Sequence, residues 1–342
     1  MKDVADDQMI TSTRAVILAG TGDELRVLLV RRKFPPFDGT LTLPGGYLKG
    51  SESSEETIRR KVLKETSINL DSGFSCFKLS SRSHNLDPRG FQITDNYMFV
   101  ADSSFNCDDM ELEGEERPEW YYFDEVEKLG FNHGAILCEA LGLLWRELPV
   151  GQEKRPAQIA PRVYSAKEIN WTEKPITFFS GTFNPWHGGH QACLDLCPNQ
   201  NIVIVPDSNP WKTQGAHEKR CHWQEYRELA HQFEKSPYGV FPGYFGIEEG
   251  NPTVNWFPHV KCDTKEFLMG LDSFFSFPRW KNVAELLNSM DKLYVVPRFT
   301  QNKTDGSEIA AQIKEMNPKL EIVFLKEHSY MNVSSTELRK GR

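Results

Sequence analysis

Two histidines beside a glycine-rich turn are the residues of this sequence best suited to chemistry on phosphate groups. Residues 181–190 read GTFNPWHGGH, which brings His187 and His190 to the start of one predicted helix. A helix N-terminus offers free N–H groups and partial positive charge, and glycines let a phosphate approach the backbone closely. Imidazoles placed there can donate hydrogen bonds to phosphoryl oxygens as charge develops in a transition state. A glycine turn with a buried histidine is the structural alternative, which the presence of a second histidine disfavours.

A second phosphate-binding segment is predicted near the C-terminus, directly after a strand. Residues 333–339 read VSSTELR, so Ser334, Ser335 and Thr336 open a helix and Arg339 follows one turn later. Hydroxyls and an arginine in that arrangement can hold phosphate oxygens. Taken alone, the pattern is equally typical of a helix cap. Together with the histidine pair, it predicts a site that handles a nucleotide.

The elements that must position these two segments alternate between strands and helices. Predicted strands occupy residues 176–179, 202–205, 267–270, 293–296 and 321–325, and predicted helices lie near 191 and over 283–290 and 308–316. Such alternation predicts a Rossmann-like, doubly wound parallel sheet. Residues 149–173 contain three prolines and many charges, which is typical of a linker. We therefore expect a first domain over residues 1–148, a linker over 149–173 and a second domain over 174–342.

The composition is that of a folded protein, and it disfavours two classes of partner, nucleic acids and membranes. The 342 residues are 39% hydrophobic and 26% charged, with a net charge of −8, which disfavours a general nucleic-acid backbone binder. No stretch approaches the roughly 18 apolar residues of a membrane span, and the acidic first residues are unlike a secretory signal. Seven scattered cysteines without a C-x-x-C pair favour reduced thiols. We expect a cytoplasmic protein with no nucleic-acid and no membrane partner.

The second half of the chain resembles the nucleotidylyltransferase superfamily. GTFNPWHGGH and VSSTELR are similar to its two signature motifs, and residues 269–273, 277–280 and 286–287 resemble the nicotinate mononucleotide adenylyltransferase branch. The resemblance implies transfer of AMP from ATP to a pyridine mononucleotide, with pyrophosphate leaving and Mg²⁺ accompanying ATP. Positioning and charge neutralisation would supply most of the catalysis. A cytidylyltransferase or a pantetheine-phosphate transferase is the alternative within the superfamily.

The resemblance also implies roles for particular residues. His187 and His190 would hold the ATP phosphates, and Ser334, Ser335, Thr336 and Arg339 the departing pyrophosphate. Gly270 and Asp272 would meet the adenosine ribose, Trp280 would stack on the pyridine ring, and Lys212 would meet the mononucleotide phosphate. The remaining predicted substrate contacts are Gly181, Thr182, Phe183, Asn184, Thr253 and Lys281. For Lys281, a solvated helix lysine is the simpler interpretation, and for Trp280 a packed core aromatic is the alternative.

Three departures from the family pattern affect the assignment of the substrate more than the assignment of the reaction. The family loop usually reads Pro-Pro-His followed by a basic residue, where residues 209–212 read NPWK. Asn184 stands where the first motif usually has an acid. Ser180 and Gly181 replace an opening pair of glycines.

The first domain resembles the Nudix family, with an α/β/α sandwich built on a mixed sheet. Gly46-x5-Glu52-x7-Arg60, followed by KVLKETSI, has the frame of the Nudix box. Residues 31–37, 43–46, 87–90 and 131–133 resemble the branch that acts on ADP-ribose. Gly45, Gly46, Glu52, Lys61, Lys64, Glu65 and Arg89 form the predicted ligand site.

The metal-binding carboxylates of that family are replaced here. The family places three glutamates at positions 61, 64 and 65, and this chain has Lys61, Lys64 and Glu65, which changes the local charge from −3 to +1. Ammonium groups repel Mg²⁺ and cannot ligate it, so no metal site is predicted. The lysines could instead pair with a pyrophosphate, so that ADP-ribose or NAD binds without being cleaved. A scaffold without a ligand is the simpler alternative.

Two further functions stay open at this point. One is a bifunctional enzyme that also hydrolyses ADP-ribose through ligands that the box does not reveal. The other is a nucleotide-sensing protein without catalysis, which the intact histidine pair disfavours. A transcriptional regulator would need a winged helix, and the sequence suggests none.

Overall fold

The chain forms two compact units, each with its own sheet. The computed structural model describes residues 10–20, 24–84, 90–114, 117–147, 174–206, 222–241, 252–260, 262–298 and 306–333, together with Ser335 and Leu338. The first unit is built mainly from residues up to 141, and the second mainly from residues beyond 163. The domain limits predicted above stay predictions, and the expected linker over 149–173 lies outside the described residues.

A mixed sheet organises the N-terminal unit. Its strands are β1 (Ile10–Ala19), β2 (Arg26–Arg31), β3 (Leu41–Thr42), β4 (Gly45–Tyr47), β5 (Phe74–Lys78), β6 (Arg82–His84), β7 (Gln92–Ala101) and β8 (Pro118–Tyr122). The central strand β1 pairs in parallel with β7 and antiparallel with β2 and β4. The helices are α1 (Ser54–Thr66) and α2 (His133–Glu147). The predicted mixed-sheet class is confirmed.

Helix α1 carries the box residues and is fixed at both ends by its sequence. Ser53 caps it in a reciprocal capping box with Glu56, and Ser67 ends it in the left-handed conformation at φ 62°. Ile58 and Val62 are fully buried against the sheet residues Leu28 and Phe99. Burying this face turns the opposite face, with the box lysines, away from the core.

A parallel sheet organises the C-terminal unit. Its strands are β9 (Ile176–Gly181), β10 (Ile202–Pro206), β11 (Gly239–Val240), β12 (Lys265–Gly270), β13 (Lys292–Val296) and β14 (Glu321–Phe324), in the order β11-β10-β9-β12-β13-β14. All the recorded pairings are parallel. The helices are α3 (Gly188–Leu196), α4 (His222–Gln232), α5 (Leu271–Phe274), α6 (Val283–Asn288) and α7 (Ser307–Met316). The predicted Rossmann-like class is confirmed.

The strand order of this sheet indicates where a ligand crevice is expected. From β9 the chain builds outward through β10 and β11, then returns to the other side of β9 with β12. In open parallel sheets, ligands bind outside the carboxyl ends of the strands at such a reversal. A ligand crevice is therefore expected beside the segments that follow β9, β12 and β13.

Two other expectations can be compared with the described part of the chain. The cysteines at 76, 107, 138, 193, 197 and 262 are all free thiols, as expected, while Cys221 lies outside the described residues. Within the described ranges, no helix is both long and apolar enough to cross a bilayer.

Candidate functional site

The histidine segment lies at the carboxyl end of β9, where it opens helix α3. His187 is the N-cap residue of α3, and its Nδ1 accepts a hydrogen bond from the backbone N–H of Gly189 at 3.1 Å. Because Nδ1 is an acceptor, the neutral ring carries its proton on Nε2. Nε2 is buried and has no hydrogen-bond partner among the described residues. A buried N–H donor of this kind points to a ligand.

The second histidine is stacked on the first. The rings of His187 and His190 have centroids 3.7 Å apart and planes 19° apart. His190 is also surrounded by rings, with Phe183 and Trp186 each 5.1 Å away between centroids. These apolar walls keep both imidazoles at the base of the crevice, with His187 8% and His190 9% exposed.

His187 is held in its neutral form. Burial and, to a lesser extent, the nearby Arg298 cation together lower the pKa of His187 from 6.5 to about 4, against a smaller opposing effect of Asp272. A neutral imidazole with its proton on Nε2 is a hydrogen-bond donor at physiological pH without adding charge.

Arg298 joins the ends of two strands to the histidine loop. It follows β13 directly, and its Nη1 lies 3.6 Å from the carboxylate of Asp272, just after β12. Its Nη2 donates a hydrogen bond to the carbonyl of Val333. A Cβ placed on Gly189 would lie 3.4 Å from Nη2, so the guanidinium also reaches the start of α3. Motif comparison missed Arg298, although an arginine directly after a buried parallel strand is a usable signal.

The C-terminal motif also reaches the histidine loop. Ser335 Oγ donates a hydrogen bond to the carbonyl of Pro185 at 3.2 Å, and the ring of Tyr330 lies over Gly188. The structure thus brings both sequence motifs together. The expected strand immediately before Val333 is wrong, because β14 ends at Phe324 and turns and irregular segments connect the two.

The turn before α3 is shaped by packing. Gly181 ends β9 under the ring of Phe183, whose nearest atom would lie 2.9 Å from a Cβ on that glycine. Phe183 adopts φ 46° and is buried against Phe179 and Trp186. Phe183 is therefore a scaffold residue, while Thr182 and Asn184 beside it are half-buried in the same loop.

Three other predicted substrate residues lie in the same unit. Trp280 is half-buried, its ring perpendicular to that of Phe277 at 5.0 Å, and its Nε1 donates to Ser276 Oγ at 3.2 Å. Lys281 beside it is exposed. Thr253 is buried at the start of a single 3-10 turn. No contact recorded between described residues links these three to His187 or Arg298. The predicted residues Lys212, Ser334, Thr336, Arg339 and Arg89 lie outside the described residues.

The N-terminal unit has a separate cleft of about 260 Å³ beside α1 and β4. Its lining is rich in cations and aromatic rings and consists of Arg14, Arg32, Phe34, Pro35, Thr42, Leu43, Gly45, Gly46, Tyr47, Lys61, Glu65 and His133. The predicted residues Gly45, Gly46, Lys61 and Glu65 are therefore brought together. Arg32 belongs to the segment 31–37 that resembles the ADP-ribose branch, whereas Arg14 was not anticipated, since it lies on strand β1, far from the box in sequence.

Glu65 and Lys61 meet at the floor of this cleft. Glu65 accepts a hydrogen bond from the backbone N–H of Gly45 at 3.0 Å, and Lys61 Nζ lies 3.5 Å from its other oxygen. Both side chains are largely buried, with 18% and 22% of their surfaces exposed. A carboxylate engaged by an ammonium and an amide is poorly placed to ligate a cation.

Glu52 and Lys64, the other two charged residues of the predicted ligand site in the described part of the chain, do not complete a metal site. Glu52 forms a bidentate pair with Arg60, which lowers the pKa of Glu52 to about 2. Lys64 is exposed and is not part of the cleft lining, which corrects its expected place beside Lys61. Glu52 is likewise outside the lining. In the described part of the chain, no three histidine, cysteine or acidic residues are grouped as a metal would require.

Comparison with known families assigns the two halves separately. Residues 9–139 match the family described as NUDIX domain, and residues 178–341 match the family described as cytidylyltransferase-like.

Individual relatives likewise resemble only one part of the chain each. The probable nicotinate-nucleotide adenylyltransferase of Christiangramia forsetii is 30% identical over 181 residues, which are 49% of this chain and 86% of that protein. Its namesake from Thermotoga maritima is 28% identical over 176 residues, or 49% of this chain and 82% of that protein. The ADP-ribose pyrophosphatase of Methanocaldococcus jannaschii is 33% identical over 115 residues, or 33% of this chain and 63% of that protein. The solved NUDIX domain of Shewanella oneidensis NrtR, complexed with ADP ribose, is 25% identical over 39% of this chain and 86% of that one, with a TM-score of 0.33.

Proposed function

Because the chain belongs to the nicotinate-nucleotide adenylyltransferase family and carries a Nudix domain ahead of that part, we propose that its C-terminal unit transfers AMP from ATP to a pyridine mononucleotide. The products are a NAD-type dinucleotide and pyrophosphate. One observation carries this proposal: the Nε2–H of His187, whose ring is stacked on that of His190, is buried just after the carboxyl end of β9 and has no hydrogen-bond partner among the described residues.

The reaction is a displacement at phosphorus. A phosphate oxygen of the mononucleotide forms a bond to the α-phosphorus of ATP, and the bond from that phosphorus to the bridging oxygen breaks, so that pyrophosphate leaves with the electron pair. The side chains supply donors and positive charge rather than covalent chemistry. His187 would donate from Nε2 to a phosphoryl oxygen, with His190 packed against it. Ser334, Ser335, Thr336 and Arg339 would hold the leaving pyrophosphate.

Arg298 adds a cation to this arrangement. It lies between Asp272 and the start of α3, so it can stabilise charge that develops on the phosphate chain. Mg²⁺ would arrive with ATP, since it is usually bound by substrate phosphates and one or two carboxylates, and Asp272 is the carboxylate in this part of the crevice. When bound, the ion would neutralise phosphate charge.

We propose nicotinate mononucleotide, the acid form of the pyridine mononucleotide, as the acceptor. The adenylyltransferase relatives carry nicotinate-nucleotide in their names. Lys281, exposed beside Trp280, would supply a cation for the nicotinate carboxylate, and Lys212 one for the mononucleotide phosphate.

The decisive assay mixes the full chain with ATP and either mononucleotide and follows pyrophosphate release. We expect turnover with nicotinate mononucleotide, and a loss on the order of 10²-fold in His190→Ala. Replacing ATP with CTP tests the cytidylyltransferase alternative. Near-normal turnover of His190→Ala would remove this residue from the mechanism, and absence of pyrophosphate release with both mononucleotides would contradict the proposal.

For the N-terminal unit, we propose nucleotide binding without hydrolysis. The observation that favours it is that both remaining box acids are engaged by cations, Glu65 by Lys61 and Glu52 by Arg60. ADP-ribose and NAD are the candidate ligands. The bifunctional alternative requires metal-dependent ADP-ribose hydrolysis, and the scaffold alternative requires that neither ligand binds.

A further inference from the structure

The cleft of the N-terminal unit carries an excess of positive charge. Three cationic side chains, Arg14, Arg32 and Lys61, line it together with one acid, Glu65. Arg14 is 8% exposed, and its Nε lies 3.1 Å from His133 Nε2 on the opposite wall. A buried excess of positive charge in a cleft attracts anionic ligands.

Lys61 is fixed at the floor of this cleft by contact with the backbone. A Cβ placed on Gly46 would lie 2.4 Å from Lys61 Cε and 2.7 Å from its Nζ, so the side chain lies flat on strand β4. Its Nζ is held from the other side by Glu65, at 3.5 Å. Only a glycine at 46 permits this position. An immobilised ammonium loses little side-chain entropy when it binds an anion.

The residues around Lys61 do not fit the divalent cation that the Nudix family implies. Both carboxylates left from the box accept hydrogen bonds from positively charged groups, and the position of a third is taken by the ammonium itself. On this basis we propose that Lys61 replaces the metal ion, so that the cleft binds the diphosphate of a nucleotide directly. This inference rests on the nucleotide-binding role proposed for the unit.

The lining of the cleft also offers surfaces that suit the base of such a ligand. Arg32 is held by two carbonyls of the adjoining loop, since its Nε donates to Pro36 at 2.9 Å and its Nη2 to Phe34 at 3.2 Å. Its guanidinium lies over the ring of Phe131, with 5.2 Å to the centroid. Phe34, which lines the cleft, is 62% exposed. A fixed guanidinium and an exposed ring provide flat surfaces on which a heteroaromatic base stacks.

Calorimetry of the full chain with ADP-ribose tests the proposal. Titrations are carried out in EDTA and in excess Mg²⁺, with wild type, Lys61→Gln, Lys61→Arg and Lys49→Gln, which removes an exposed lysine outside the cleft. We expect equal affinity in EDTA and Mg²⁺, a loss of roughly 10- to 100-fold in Lys61→Gln, partial retention in Lys61→Arg and no change in Lys49→Gln. Thermal melts confirm that each variant is folded.

A second series of variants distinguishes the nucleotide site of the N-terminal unit from that of the C-terminal unit. His190→Ala should keep the affinity for ADP-ribose while losing adenylyl transfer, and Lys61→Gln should show the reverse. Binding that disappears in EDTA, or that survives Lys61→Gln unchanged, would overturn the metal-free mode while leaving nucleotide binding in place. Absence of heat from every protein would overturn both proposals for the cleft, and adenylyl transfer would be unaffected by that result.

Discussion

The imidazole of His187 lies flat against that of His190, with ring centroids 3.7 Å apart. Two imidazolium ions at this separation would repel each other strongly, so the stacking disfavours the state in which both rings are charged. The capping hydrogen bond from Gly189 to Nδ1 then fixes the proton of His187 on Nε2. One contact with the helix backbone thus decides which ring nitrogen of His187 carries the proton.

We predict that His187 makes the protein less stable in acid. The pKa of His187 is lowered from 6.5 to about 4, chiefly by burial. Between these pH values the unfolded chain binds a proton that the folded chain excludes, so stability is lost as the pH falls through this window. His187→Asn keeps a side-chain oxygen that can cap α3 and removes the titration. Its melting temperature should therefore fall less between pH 7 and pH 4.5 than that of wild type, and equal falls would contradict the prediction.

We predict that Arg298 is needed for turnover. Arg298→Met removes the cation beside Asp272 and the start of α3, so kcat/KM for adenylyl transfer should fall on the order of 10²-fold. The same change should raise the pKa of His187, because Arg298 is one of the causes of its lowering. The protein would then lose less stability between pH 6.5 and pH 4 than wild type does. A merely weakened substrate contact would not produce that change.

A matched control for Arg298 is available in the same unit. Arg279 is an exposed arginine in a 3-10 turn, and Arg279→Met should leave kcat/KM within about 2-fold of wild type. Equal losses in both variants would indicate a general effect of charge rather than a local role for Arg298.

Four strands of the C-terminal unit could be predicted from the sequence because they are mostly buried, namely β9, β10, β12 and β13. Strands such as β10 and β13 therefore read as continuous apolar runs, which periodicity identifies. Helix α1 begins at a strong local signal, because Ser53 and Glu56 form a reciprocal capping box. By contrast, β5 has largely exposed residues and exists because it pairs with β7, a relation that no local pattern encodes.

The residues of the candidate site were likewise predictable only where a local sequence motif contains them. His187, His190 and Ser335 lie in contiguous motifs, so their types and spacing predicted them. Arg298 belongs to no motif, and its meeting with Asp272 depends on the adjacency of β12 and β13 in the sheet. Lys61 and Lys64 look equivalent in sequence, yet only the path of the Lys61 side chain over β4 brings an ammonium into the cleft.

We predict that Trp280 contributes to both substrate binding and stability. Its ring is half-exposed but packs edge-on against the buried Phe277 and Phe267. Trp280→Ala should raise the KM for the mononucleotide more than that for ATP and lower the free energy of unfolding by about 1–3 kcal/mol. Trp280→Phe should recover most of the stability. A loss of stability with both KM values unchanged would leave Trp280 as a core residue only.

The last prediction is that the full chain hydrolyses ADP-ribose at a negligible rate in the presence of Mg²⁺. Hydrolysis by a Nudix site depends on carboxylates free to ligate the metal, whereas Glu65 is held by Lys61 and Gly45, and Glu52 by Arg60. Phosphate release after phosphatase treatment measures the cleavage. The double variant Lys61→Glu and Lys64→Glu restores the acids that the family carries at both positions, so it should gain Mg²⁺-dependent turnover. If wild type itself shows steady Mg²⁺-dependent turnover that is lost in Glu65→Gln, then Glu65 ligates the metal despite its ion pair. The chain would then be bifunctional, with Lys61 moving aside when the metal binds.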